Sequence, residues 1–149
     1  MSRSVTPNKE DYLERIHELI QLKGYARVAD IAAVLNFKRP SVTLMIQQLS
    51  REGYLNYQKY RGLTLTSLGQ EVAERIRNRH MMLTELFSLL GVDAETAYKD
   101  LEGIEHHLSE TTFKRLQDLV EHLKKHPLPI TKPVRKSGKD KMAKISVNA

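Results

Sequence analysis

Apolar residues recur along this chain at helical spacing, interrupted once by a stretch that alternates. Tyr12, Leu13, Ile16, Leu19 and Ile20 share one face of a helix predicted over 9–23, with Gly24 as its stop. Val28, Ile31, Ala32 and Leu35 mark a second, short helix over 28–35. After Asn36-Phe37-Lys38 a third begins at Arg39-Pro40-Ser41, where proline in the first turn is favourable. Val42, Met45, Ile46 and Leu49 give it an inner face. Residues 53–60 are then rich in strand formers, Arg61-Gly62 turns the chain, and Leu63-Thr64-Leu65-Thr66 alternates as a returning strand. Thr66 or Ser67 caps a long helix to about Leu90, with the stripe Leu68, Val72, Ile76, Leu83, Leu86, Phe87 and Leu90. Helices follow over 93–108, capped by Asp93, and over 110–125, capped by Ser109. The fold expected is mainly α with one small β-hairpin.

A short helix, a tight link, a helix with a polar outer face and then a basic hairpin is the order of a winged helix-turn-helix. We therefore expect a DNA-binding domain over 1–70. The outer face of the third helix offers Arg39, Pro40, Ser41, Thr43, Leu44, Gln47, Gln48 and Arg51. Ser, Thr and Gln pair with base edges, and leucine packs on a thymine methyl. Lys59 and Arg61 near the hairpin tip are suited to phosphate or a minor groove. Residues 71–125 form the second expected unit, a helical dimerisation domain. Its helices carry more apolar surface than so small a unit buries alone, and reading two half-sites requires a two-fold.

Composition narrows the function classes. The chain has 149 residues, 40% hydrophobic and 28% charged, which is room for one or two small domains. It has no apolar run of membrane-spanning length and no signal-peptide core, so a cytoplasmic protein is expected. With no cysteine there is no disulfide, iron–sulfur cluster or thiolate metal site. The net charge of +6 is unevenly placed. Residues 126–149 hold six basic residues against one acid and read as a disordered basic tail. Residues 1–70 carry ten basic and six acidic side chains, and residues 71–125 eight and eleven. The basic half is the one expected to meet phosphate.

The acidic half contains Leu101-Glu102-Gly103-Ile104-Glu105-His106-His107. On a continuous helix Glu105 lies about 60° to one side of Glu102 and His106 about 40° to the other, so all three share a face. Hard oxygen and nitrogen donors at the edge of an apolar stripe suit Mn²⁺ or Fe²⁺. An ordinary solvated helix edge has the same pattern. Asp11 and Glu14 lie together on the side of the first helix that periodicity assigns to solvent. His80 stands at the edge of the long helix's stripe, where a lone histidine is more often a hydrogen-bonded core residue than a ligand.

Several longer words of the sequence carry a resemblance. They are Glu10-Asp11-Tyr12, Lys23-Gly24-Tyr25-Ala26-Arg27-Val28, Lys59-Tyr60-Arg61-Gly62-Leu63 and Glu102-Gly103-Ile104-Glu105-His106-His107-Leu108. Through them the chain resembles, from about Glu10 to Leu123, the manganese-responsive branch of the diphtheria toxin repressor family. The resemblance implies a homodimeric, metal-activated repressor that binds double-stranded operator DNA, with no membrane partner and no small organic substrate. It implies the ligands Asp11, Glu14, His80, Glu102, Glu105 and His106, a set sufficient for two Mn²⁺ per subunit. Iron-type relatives carry sulfur ligands at the positions of Asp11 and Glu102, and oxygen there fits Mn²⁺, with Fe²⁺ or other divalent ions as alternatives. The basic tail is not part of the resemblance. Two other readings stay open on the residues alone: a paired-metal hydrolase, and a winged-helix regulator of a non-metal ligand.

Overall fold

The computed structural model describes residues 7–129. Helices α1 (Pro7–Lys23), α2 (Val28–Leu35) and α3 (Arg39–Arg51) are followed by the strands β1 (Leu55–Gln58) and β2 (Gly62–Leu65). Then come α4 (Ser67–Leu89), α5 (Ala94–Leu101), α6 (Ile104–His107) and α7 (Glu110–Lys125). The tail expected from residue 126 lies, beyond its first four residues, outside the described part.

Helix α2 ends at Asn36, whose left-handed φ of 56° turns the chain. Its amide and that of Phe37 then close on Ala33 and Ala32 carbonyls. Asparagine tolerates that conformation better than most residues. The hairpin pairs antiparallel from Leu55↔Leu65 to Gln58↔Gly62, so Lys59, Tyr60 and Arg61 form its exposed tip. An isolated bridge between Ala26 and Leu63 ties the hairpin to the start of α2.

Burial follows the predicted stripes and divides into two cores. The first gathers Leu13 and Ile16 of α1, Ile31 of α2, Val42, Ile46 and Leu49 of α3, Leu55 and Leu63 of the hairpin, and Val72 and Ala73 of α4. The second gathers Met82, Leu83 and Leu86 of α4 with Leu101, Phe113, Val120 and Leu123. Helix α4 belongs to both. At 23 residues it is about 34 Å long, and it packs against α1, α5, α6 and α7. Thr66 caps it, accepting from the Gly69 amide at 3.1 Å.

Three expectations are corrected. The helix over 93–108 is broken: α5 ends at Leu101, Glu102 leaves helical geometry at ψ 110°, and Gly103 turns at φ 94° before α6 begins. Leu68, placed on the α4 stripe, is exposed, and Gly69 beside it is buried against the hairpin. The side of α1 assigned to solvent is partly covered, since Glu14 is buried and α1 packs on α4.

Candidate metal centre and nucleic-acid face

The break at Glu102–Gly103 decides what α6 buries. On a continuous helix Ile104 would continue the stripe of Leu101. Instead Ile104 is exposed and Glu105 turns inward, 5% exposed. Arg79 of α4 lies behind it, also buried, donating from Nη1 to the Glu105 carbonyl at 3.2 Å and from Nη2 to Glu110 at 3.4 Å. Its guanidinium lies over the Phe113 ring. A buried arginine thus fixes α6 and the start of α7 to α4. Sequence reading passed over it because a charge within an apolar stripe looks like an outward position.

All six residues that the resemblance named line one cavity of about 320 Å³. Asp11 and Glu14 enter from α1, His80 from α4, Glu102 from the end of α5, and Glu105 and His106 from α6. Arg15, Leu35, Phe37 and Tyr98 complete the wall. The His80 imidazole stands 3.8 Å from Glu105. Both nitrogens of His106, whose side chain is 4% exposed, meet carboxylates of adjacent α1 residues: Nε2 meets Asp11 at 2.7 Å and Nδ1 meets Glu10 at 2.7 Å. Glu10 is buried too, with Arg75 at 3.8 Å from its other oxygen. It is a site residue that sequence reading used only as part of a family word.

These neighbours set the protonation states. Asp11, and then Glu10, hold the His106 imidazolium up to about pKa 10, against the effect of burial. The carboxylate of Glu105 raises His80. Burial pushes Glu105 up, but His80, its own backbone amide and the His106 charge bring it below the usual carboxylate range. Glu14 is raised by burial, an effect that Arg15 partly offsets.

Among the described residues no three or more histidine and carboxylate groups are already arranged to hold an ion. His106 and Asp11 are paired with each other, and Glu102 is exposed at a helix end. The residues nevertheless fit a divalent metal. The donors are four carboxylates and two imidazoles around one cavity, and the buried Oε2 of Glu105 has no hydrogen-bond partner. A buried carboxylate oxygen without a partner is costly unless a cation or donor completes it.

The candidate nucleic-acid face lies on α3 and the hairpin tip. Arg39, Pro40, Ser41, Leu44 and Gln47 are exposed along α3, and Thr43 is half-buried with its hydroxyl donating to the Arg39 carbonyl at 3.0 Å. Lys59 and Arg61 share an open groove of about 670 Å³ with Arg39, Tyr25 and Arg27. Arg27, known from the sequence only as part of a family word, adds a fourth cation to this groove and stacks over Tyr25 at 4.8 Å. Gln48 is instead occupied, donating to Glu52 at 3.0 Å, and Lys9 binds the same carboxylate.

Comparison with known proteins bears on both units. Residues 4–63 match the family description "Iron dependent repressor, N-terminal DNA binding domain". Residues 66–133 match "Iron dependent repressor, metal binding and dimerisation domain". The chain is 49% identical over 122 residues to the HTH-type transcriptional regulator MntR of Lysinibacillus sphaericus, covering 82% of this chain and 88% of that protein. To the regulator of the same name in Bacillus subtilis it is 50% identical over 117 residues, covering 78% and 82%. Among solved structures it resembles the manganese regulator SloR, with a TM-score of 0.68 and 29% identity over 79% of this chain. It also resembles T. acidophilum IdeR, with a TM-score of 0.67 and 34% identity over 89% of this chain. The chain spans 55% and 60% of those two structures' chains.

Proposed function

Because the chain belongs to the iron-dependent repressor family, we propose that it is a manganese-activated repressor of genes for Mn²⁺ uptake, acting as a homodimer on operator DNA in the cytoplasm. It is a DNA-binding transcriptional regulator with a metal-binding and dimerisation domain, and it is not an enzyme. Among the described residues no helix is long and apolar enough to cross a membrane. The observation that supports the metal reading best is the cavity into which α1, α4, α5 and α6 all send donors, together with the unpartnered oxygen of Glu105. Oxygen and imidazole donors with no sulfur favour Mn²⁺, and the set is large enough for two ions per subunit.

The switch follows from which elements carry the donors. Asp11 and Glu14 ride on α1, part of the DNA-binding core, whereas Glu102, Glu105 and His106 ride on the dimerisation side. When bound, a divalent ion supplies the positive charge that lets these carboxylates converge. Asp11 is paired with the His106 imidazolium in the metal-free protein; with an ion bound, both would serve as ligands, and the α1–α6 contact would be made through the ion in place of that pair. The two reading heads of the dimer are thereby fixed at the spacing of successive major grooves, about 34 Å. A coupling of about 1–3 kcal/mol changes operator affinity roughly 5- to 150-fold. Anaerobic DNA-binding titration with Mn²⁺, Fe²⁺ and Zn²⁺ in chelated buffer tests the reading. Activation by none of them would sink it, and stronger activation by Fe²⁺ would reassign the metal.

Proton release is the second expectation. The folded His106 value of about 10 lies above the unfolded value of 6.5. Its pairing therefore stabilises the metal-free protein fully below pH 6.5 and is lost as pH rises toward 10. At neutral pH His106 must give up a proton before Nε2 can ligate. Apparent Mn²⁺ affinity should rise by up to about tenfold per pH unit between 6.5 and 8.5. Calorimetry in two buffers of different ionisation heat counts the protons, and a count of zero would contradict the pairing.

We assign Gln47 to base reading and Arg61 to phosphate. Arg61→Ala should weaken binding to every sequence and flatten the salt dependence by about one unit of slope. Gln47→Ala should relax preference at particular base pairs, by about 1–3 kcal/mol per lost pairing. Identical, uniform losses from both variants would remove Gln47 from that role.

A further inference from the structure

We infer that Glu10 is a positioning residue of the metal centre: by accepting a hydrogen bond from the Nδ1–H of His106 it keeps the proton there and leaves Nε2 as the nitrogen that ligates. The inference rests on the metal reading above and adds a residue outside the six. Glu10 Oε2 lies 2.7 Å from Nδ1. An ionised carboxylate only accepts, so Nδ1 is the donor. The two carboxylates that clamp His106 are not equivalent. Asp11 lines the cavity and its side chain is 48% exposed, whereas Glu10 is absent from the cavity wall and its side chain is 8% exposed. Nε2 therefore faces the cavity and Nδ1 faces the interior.

Arg75 of α4, 3.8 Å from the second Glu10 oxygen, supports the carboxylate from behind. The result is a chain of fixed groups, Arg75, Glu10 and His106, joining three helices. A carboxylate on the distal nitrogen fixes the tautomer and ring orientation of a ligating histidine, and its loss costs roughly 10- to 100-fold in metal affinity. Adjacent residues of one helix thus divide the work: Asp11 exchanges His106 for the ion, and Glu10 keeps hold of it in both states.

The test uses the full-length dimer, wild type, Glu10→Ala and Glu10→Gln, with circular dichroism and dimer mass as controls. Free Mn²⁺ is followed by electron paramagnetic resonance. Glu10→Ala should bind Mn²⁺ about 10- to 100-fold more weakly, and Glu10→Gln, which still accepts from Nδ1–H, should recover most of the loss. Imidazole ¹⁵N spectra of the Zn²⁺-loaded wild type, a diamagnetic stand-in, should show His106 protonated at Nδ1 and metal-bound at Nε2. If Glu10→Ala does not fold, those spectra and Glu10→Gln decide. Metal on Nδ1, or Glu10→Ala binding Mn²⁺ like wild type, overturns the role of Glu10 alone. A wild type that binds no Mn²⁺ overturns the metal reading itself.

Discussion

His80→Ala should abolish Mn²⁺-dependent operator binding while leaving the fold intact. The His80 side chain is 40% exposed, and its nearest charged partner is Glu105 at 3.8 Å. Truncation therefore opens little cavity and breaks no short hydrogen bond, so its stability cost should stay within about 1 kcal/mol. Its chemical cost is larger. His80 is the only cavity donor on α4, the helix common to both cores. Losing a ligand should cost at least the 100-fold at the upper end for an outer-sphere partner, about 3 kcal/mol. At a Mn²⁺ concentration that just saturates the wild type, such a variant stays almost metal-free and shows almost none of the gain in operator affinity. Fluorescence anisotropy of labelled operator, with and without Mn²⁺, reads the gain directly. A variant that retains wild-type Mn²⁺ response would show that the ligand set is wrong.

Gly69→Ala is expected to be strongly destabilising. A Cβ at Gly69 would lie 2.0 Å from the Tyr54 carbonyl oxygen and 3.2 Å from Leu65 Cδ2. Tyr54 cannot yield, because its amide donates to Leu49 at 2.9 Å and its carbonyl accepts from Thr66 at 3.1 Å. The start of α4 must instead move away from the hairpin. Overpacking of this kind costs about 3 kcal/mol, or roughly 10 °C in Tm for a chain of this size. Thermal unfolding of the metal-free protein is the measurement. A Tm within a degree or two of wild type would mean that α4 and the hairpin are not packed this closely.

Local elements were readable where local rules act. The bounds of α2 and α7 and the start of α3 match those read from apolar spacing and turn residues, and Ser109 and Asp93 cap as their positions predict, accepting from Thr112 and Thr96. Gly103 marks the break, but Leu101, Ile104 and Leu108 keep a helical period across it, so periodicity alone predicts one continuous helix. The reading that Glu102, Glu105 and His106 meet survives for a different reason: the turn aims them into one cavity from two helices. Asp11 and Glu14 were legible as candidate ligands only through the resemblance. Periodicity sees one helix at a time, and what covers that face of α1 is α4, more than fifty residues away. Glu10 was hidden for the same reason, since its partner His106 is 96 positions along the chain.

The broken helix also governs timing. Glu102 stands on a bend beside a glycine, exposed, whereas Glu105 and His106 are held by buried contacts with Arg79 and Glu10. Of the six candidate donors Glu102 alone is exposed, on a bend of the chain. Release should begin at Glu102, one donor at a time, without α6 or α7 unpacking. Derepression would then need no unfolding of α6, which Arg79 and Glu10 hold without the metal.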